Sequence, residues 1–260
     1  MTTNYQSKYW GLIYDQMMEQ DCREWLDENL AFYRSNLLGV SGPVLECACG
    51  TGLFLLPLLA DGFDMYGFDM SAAMLSTLKS KAAEQDVNDI DDRISKQGLE
   101  SFAYKRRFEA AIIPTNTFGM LTTQEAQINT LSNIHEHLAP GGRLILDQRL
   151  AGIGDLASNV EGIHGRVHTW VHPESGRPIR QHIDDTRDLG NQLYLNRCSI
   201  EYDGEVEEFP MTGRWVFKGE FQLLLQLAGF KRWDAWGTLD GGPLVIALEE
   251  TSSFWIAYKD

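Results

Sequence analysis

Pro43-Val-Leu-Glu46-Cys-Ala48-Cys-Gly50-Thr-Gly52, running on to Tyr66-Gly-Phe-Asp69-Met70, is the stretch on which the fold of this 260-residue chain turns. An apolar run from Leu37 through Val44 and Leu45 closes at Glu46. Gly50 and Gly52 then lead into Leu53 to Ala60, a succession that reads as strand, tight turn and helix. Glycines let a backbone approach a ligand with no Cβ in the way, and the following helix offers N–H groups that its own turns leave unpaired. A second apolar stretch, Phe63 to Phe68, ends at Asp69, 17 positions after Gly52. An acid at the end of a second strand is placed to take both hydroxyls of a ribose.

The glycine spacing decides between two nucleotide-binding readings. If Gly50 and Gly52 open a dinucleotide fingerprint G-x-G-x-x-G, Leu55 falls where the third glycine belongs, and its bulk would push the helix away from the strand. The dinucleotide reading is therefore set aside. The remaining pattern, an acid at a strand end followed by a small-x-Gly-x-Gly turn, resembles motif I of class I S-adenosylmethionine (SAM)-dependent methyltransferases, with Ala48 in place of that family's usual first glycine. The resemblance implies an α/β fold: a Rossmann-like, seven-stranded, mostly parallel sheet with helices on both faces. It also implies that Glu46, Ala48, Gly50, Gly52, Asp69 and Met70 hold the cofactor, with S-adenosylhomocysteine as product and no metal.

With 43% apolar residues the chain is long enough for a full core, and its size suits one α/β domain with an elaboration. The net charge of −15 argues against nucleic acid or an anionic membrane as partner, since both need a basic face to displace counterions. The N-terminus, Met-Thr-Thr-Asn-Tyr, has neither the basic flank nor the apolar stretch of a secretion signal, and no apolar run approaches the ~20 residues of a membrane span. Four cysteines (Cys22, Cys47, Cys49, Cys198) fit a reduced cytoplasmic protein. Cys47 and Cys49 lie too close together for a zinc spacing.

Residues 5 to 15 carry Tyr5, Tyr9, Trp10 and Tyr14-Asp15, and the apolar spacing from Glu19 to Leu38 predicts one amphipathic helix. The aromatic segment reads as core packing or as a lid like the N-terminal segment of many small-molecule methyltransferases. Tyr14 is its candidate catalytic residue, a hydroxyl and π face suited to a cationic sulfonium or amine. Further on, Ser71 caps a helix bearing Met74, Leu75, Leu78 and Ala82, and Ile94 starts a short strand. In the resembling family the loop after that strand lies against adenine, commonly with an aspartate after its glycine. Leu99 follows Gly98 here, so Glu100 stands in for that acid or backbone groups hold the base alone. Phe108 to Ile113 is the fourth strand, stopped by Pro114. Its exit, Ile-Pro-Thr-Asn116-Thr-Phe, resembles that of enzymes methylating small amines or hydroxyls. Asn116 holds a polar group of the substrate or the methionine part of the cofactor, or only closes a turn.

Gln124 to Leu138 predicts another helix, stopped at Ala-Pro-Gly-Gly, and Leu144 to Arg149 the fifth strand. Its Asp-Gln-Arg ending resembles the substrate end of glycine- and sarcosine-type N-methyltransferases, where Arg149 would clamp a carboxylate. From Gly152 to Met211 alternation replaces helical periodicity at Val167–Val171, Ile179–Ile183 and Leu193–Ile200, which predicts a small inserted antiparallel β-sheet. Residues 1–151 and 212–260 would thus form the SAM-binding domain and residues 152–211 a subdomain capping the substrate. His168 is a candidate base and Trp170 a candidate substrate contact in the insert. Arg214, where the chain returns, is a further candidate for substrate binding. Glu220 to Ala228 predicts a last helix with Gly229 beyond its end, followed by strands over Trp233–Thr238 and Ser252–Tyr258. Together these features point to methyl transfer from SAM to a small molecule, at an amine nitrogen before a hydroxyl. SAM binding without transfer stays open, as does assembly into an oligomer.

Overall fold

A computed structural model describes residues 7, 9–150, 152, 163–244 and 251–260. Two sheets organise these residues. The larger has seven strands in the order β10-β11-β5-β4-β1-β2-β3. Its members are β1 (Val44–Cys47), β2 (Met65–Asp69), β3 (Ile94–Lys96), β4 (Phe108–Ile113), β5 (Leu138–Leu150), β10 (Arg232–Trp236) and β11 (Thr251–Tyr258). Strands β1 to β5 pair in parallel, and β11 runs antiparallel to both β5 and β10. Order reverses beside β1, which has β2 on one side and β4 on the other, so the crevice at the carboxyl ends of these strands lies at the switch point of an open α/β sheet.

Both faces of this sheet are covered, which is why Val44, Ile112 and Leu144 are buried in nearly continuous apolar strands. On one face, α2 (Arg23–Leu37), α3 (Leu55–Ala60) and α4 (Ala72–Glu84) bring Tyr33, Leu37, Leu55 and Leu78 onto the strands. On the other, α6 (Gln124–His137) and α7 (Lys218–Leu227) bring Leu131, Ile134, Phe221 and Leu225. A short α5 (Ile90–Arg93) precedes β3. The Ser71 hydroxyl caps α4 by accepting from the Met74 N–H at 3.3 Å. Thr123 caps α6 in the same way.

The second sheet is antiparallel, in the order β6 (Ile163–Val171), β7 (Pro178–Asp188), β8 (Leu193–Tyr202), β9 (Glu205–Arg214). The sequence reading anticipated three of these strands and missed β9, whose run Glu205-Val-Glu-Glu lacks apolar alternation. Its pairing with β8 over the full length from Tyr202↔Glu205 to Leu193↔Arg214 makes it a strand all the same. The chain leaves the large sheet after β5 and returns beside it, with Leu150 bridged in parallel to Val216.

The single helix expected over Glu19–Leu38 is two helices, α1 (Trp10–Asp21) and α2, separated at Cys22, whose φ of −133° is not helical. The two helices bury different surfaces. Trp10 and Ile13 of α1 join Met74 in a third core with Trp170, Ile179 and Ile200 of the small sheet, whereas α2 packs on the large one. The expected stop at Ala-Pro-Gly-Gly is itself the first part of β5, which begins at Leu138 and shifts register against β4 between Phe108 and Ala110.

Candidate active site

Three residues with positive φ shape the loop after β1. Ala48 has φ 60°, Gly50 52° and Gly52 81°, and Cys49 between them donates its N–H to the Phe68 carbonyl of β2 at 2.8 Å. A Cβ on Gly50 would meet nothing within 4 Å, so this glycine leaves open space at the crevice, while a Cβ on Gly52 would stand 2.9 Å from Leu78 Cγ. Leu55, the residue that spoils the dinucleotide fingerprint, is fully buried over Gly67 of β2, where an added Cβ would stand 2.6 Å from Leu55 Cδ1. The close approach of helix to sheet that a third glycine would give the loop is supplied by a glycine on the neighbouring strand. Sequence reasoning did not single out Gly67; its only signal was a glycine inside an apolar strand.

Two buried carboxylates face this loop. Asp69 at the end of β2 accepts from the Gly50 N–H (2.9 Å) on one oxygen and from the Ser71 N–H (2.8 Å) on the other. Each oxygen keeps a second lone pair for a ligand. Burial raises its pKa from the ordinary value, and the hydrogen bonds from Ser71 and Gly50 pull it back. Glu46, 2% exposed, has an oxygen (Oε2) buried with no hydrogen-bond partner. Burial first, and the Asp69 charge second, hold its carboxyl well above the usual carboxylate range. An orphaned buried acceptor beside a second carboxylate is a site that a cation would stabilise.

The narrow crevice over these groups is lined by Tyr14, Glu46, Ala48, Gly50, Thr51 and Thr115, among others. Tyr14 reaches it because α1 is fastened across the loop: Asp15 accepts from the Thr51 hydroxyl and from Lys81 Nζ of α4 at 2.7 Å. Gly11 lets α1 sit against α4, since a Cβ there would stand 3.0 Å from Thr77 Oγ1. The far wall is the exit of β4. Thr115 and Asn116 are both left-handed (φ 61° and 53°), and their N–H groups donate to Asp147 Oδ1 and Oδ2, each at 2.7 Å. Asp147, 4% exposed on β5, also accepts from the Tyr33 hydroxyl at 2.6 Å. Its pKa is pushed up to about 6 by burial, against the pull of these bonds.

A crevice at the switch point, an acid on each of two neighbouring strands and a glycine turn between them suit a nucleoside ligand, and the orphaned Glu46 oxygen suits a cationic group on it. Residues 44–142 match the methyltransferase domain family. The chain carries a SAM-dependent methyltransferase domain. It is 25% identical over 207 residues to the cypemycin N-terminal methyltransferase of Streptomyces sp, covering 80% of each chain. To the glycine/sarcosine N-methyltransferase of Halorhodospira halochloris it is 28% identical over 207 residues, which covers 75% of this chain and 67% of the relative. The solved structure of an S-adenosylmethionine-dependent methyltransferase from Clostridium acetobutylicum ATCC 824 shares the fold at a TM-score of 0.72 and 16% identity, covering 95% of this chain and 97% of that one.

Not every residue expected in the methyltransferase's site lies at the crevice. Met70 follows Asp69 and is half-buried; Leu99 is half-buried against the α6–α7 core, and Glu100 is exposed. Asn116 accepts the Arg149 N–H on its side-chain oxygen at 3.0 Å, which ties the β4 and β5 exits together. Arg149 is exposed, and its charge opposes the rise that burial and Asp21 impose on the Cys22 thiol, which places it near the α1–α2 junction. Trp170 is core rather than crevice: it is 4% exposed, packs in the apolar cluster with Trp10 and Ile13, and donates Nε1–H to Gln181 at 3.1 Å. The His168 ring lies parallel to it, 5.9 Å away. Arg214 is buried, its guanidinium committed to Gln127, Gln192 and Glu220. Among the described residues no three His, Cys, Asp or Glu side chains are placed to hold a metal, and no helix is long and apolar enough to cross a membrane.

Proposed function

We propose that the enzyme transfers the methyl group of SAM to an amine nitrogen of a small molecule. The observation that carries the cofactor assignment is the buried, unpartnered Glu46 oxygen beside the loop of Ala48 and Gly50. The ammonium of SAM would pair with it, Asp69 would take the ribose hydroxyls, and Met70 and Leu99 would border the base. Bound SAM supplies a methyl carbon already activated by a positively charged sulfur. The chain's own task is then alignment: holding the acceptor nitrogen in line with that carbon and keeping water out. Tyr14 from above and Thr115 from the β4 exit flank the position where the acceptor would stand. Residues 1–151 and 212–260 form the cofactor domain in this reading, and residues 152–211 roof the acceptor. The preference for nitrogen rests on the two relatives, whose names give the N-terminus of cypemycin and the nitrogen of glycine or sarcosine as acceptors. In this reading Arg149, exposed on β5, would pair with an acceptor carboxylate, whereas Trp170, buried in the cluster with Trp10, and Arg214, bound to Glu220, are left out of the substrate set.

Isothermal titration tests the cofactor half: SAM and S-adenosylhomocysteine are expected to bind in the micromolar range, with severe weakening in Asp69→Ala. No binding of either ends the proposal. The acceptor half is tested by S-adenosylhomocysteine release with glycine, sarcosine, a short peptide with a free N-terminus and an amino sugar. Turnover confined to hydroxyl acceptors would overturn the nitrogen assignment.

A further inference from the structure

The buried carboxyl group of Asp147 is the polar centre of the crevice wall that the motif-I loop does not build. Three donors from two elements converge on it: the Tyr33 hydroxyl of α2 and the Thr115 N–H of the β4 exit on Oδ1, and the Asn116 N–H of that exit on Oδ2. The Tyr33 hydroxyl in turn accepts the Asp147 N–H at 3.0 Å, which fixes the carboxyl against β5. Two consecutive non-glycine residues in the left-handed region are an unfavourable pair, and threonine, being β-branched, is the worse of the two. Something outside the loop must hold them there, and the two N–H bonds to one carboxylate do so. Thr115 lines the crevice, and the Asn116 side chain carries the hold onward to the Arg149 N–H.

We infer that Asp147 is a positioning residue for methyl transfer: its carboxylate locks Thr115 and Asn116 in the conformation that presents the β4 exit to the methyl acceptor. It is not a base in this role, because it is buried behind Thr115 and is not among the residues that line the crevice. The inference rests on the reading of the crevice as a methyl-transfer site.

The test is Asp147→Asn, which keeps the shape but turns an amide NH₂ toward a backbone N–H that needs an acceptor. Hydrogen exchange of the Thr115 and Asn116 amides, measured with S-adenosylhomocysteine bound, is expected to quicken at least tenfold, while the amides of residues 48–52 and the S-adenosylhomocysteine Kd stay within threefold. With the best amine from the acceptor assay, kcat is expected to fall tenfold or more. In a Thr115→Gly background, where glycine takes the left-handed conformation without help, the same substitution should cost less than a third of that factor. Unchanged exchange at 115 and 116, an equal kcat loss in both backgrounds, or loss of cofactor affinity in step with activity would each overturn the inference. Should Asp147→Asn fail to fold, Tyr33→Phe removes one donor and is expected to lower kcat three- to tenfold with Kd unchanged; an unchanged kcat there overturns it too. Failure of the wild type to bind SAM would instead count against the proposed function.

Discussion

Gly50 and Gly52 both sit at positive φ, yet a methyl group added to each meets different surroundings. Gly50→Ala strains the backbone by about 1 kcal/mol and enters space left open for the ligand. It is expected to lower Tm by only a few degrees while weakening S-adenosylhomocysteine binding more than tenfold. Gly52→Ala adds a clash with Leu78 and Leu56 to the same strain, so its loss of Tm should be at least twice as large in a thermal melt. Glu46 makes a pH prediction whose sign follows from its environment. Its folded pKa is raised, so the neutral acid is favoured until a cation arrives, and binding the ammonium of SAM must expel that proton. Affinity should therefore rise with pH through a range above that of ordinary carboxylates, with proton release on binding detectable in buffers of different ionisation enthalpy. Glu46→Gln should bind more weakly and lose this pH dependence.

Helix α1 belongs to neither sheet and is held by both. Its apolar side packs with Trp170, Ile179 and Ile200, and its Asp15 is bound to Thr51 and Lys81. Because the latch runs to the cofactor loop itself, Asp15→Ala is expected to speed S-adenosylhomocysteine dissociation about tenfold in stopped-flow displacement while moving Tm little; an unchanged off-rate would show that α1 does not gate the crevice. Arg214 acts between elements in another way, joining the end of β9 to α6 through Gln127 and to α7 through Glu220. Removing a buried guanidinium leaves Glu220 without its cation, and Arg214→Met should cost about 3 kcal/mol in chemical denaturation without changing cofactor affinity. The sequence offered the arginine as a substrate contact because nothing local distinguishes one facing a crevice from one facing its own fold.

At the scale of the molecule, the two sheets meet through α1 and through the adjacent exit and return at Leu150 and Val216. Those neighbouring ends make the insert removable in principle: replacing residues 152–213 with a short Gly-Ser linker is expected to leave the far-UV signature of the large sheet. It should also expose Trp10, Ile13 and Met74, read as increased binding of a hydrophobic dye and lost cofactor affinity. An unchanged dye signal would mean α1 finds other cover. The helices and strands of the large sheet and the loop at Gly50 and Gly52 were legible because they rest on local rules: period, caps and turn residues leave marks within a few positions of where they act. So were the acids at 46 and 69, which lie on two recognisable strands. The seven strands and two covered faces came with the family resemblance, and the strand order only with the structure. Other features left no such mark, among them the break at Cys22, the strand over Glu205–Arg214, the Asp15 latch and the Asp147 hold on Thr115 and Asn116. Asp147 meets Thr115 across 32 positions and Tyr33 across 114, and contacts of that separation exist only once the sheet has brought its strands together. The sequence by itself therefore determined what kind of ligand the first loop can cradle. Only tertiary packing decided which side chains close the space around it, because burial and convergence are properties of the folded neighbourhood and of no single segment.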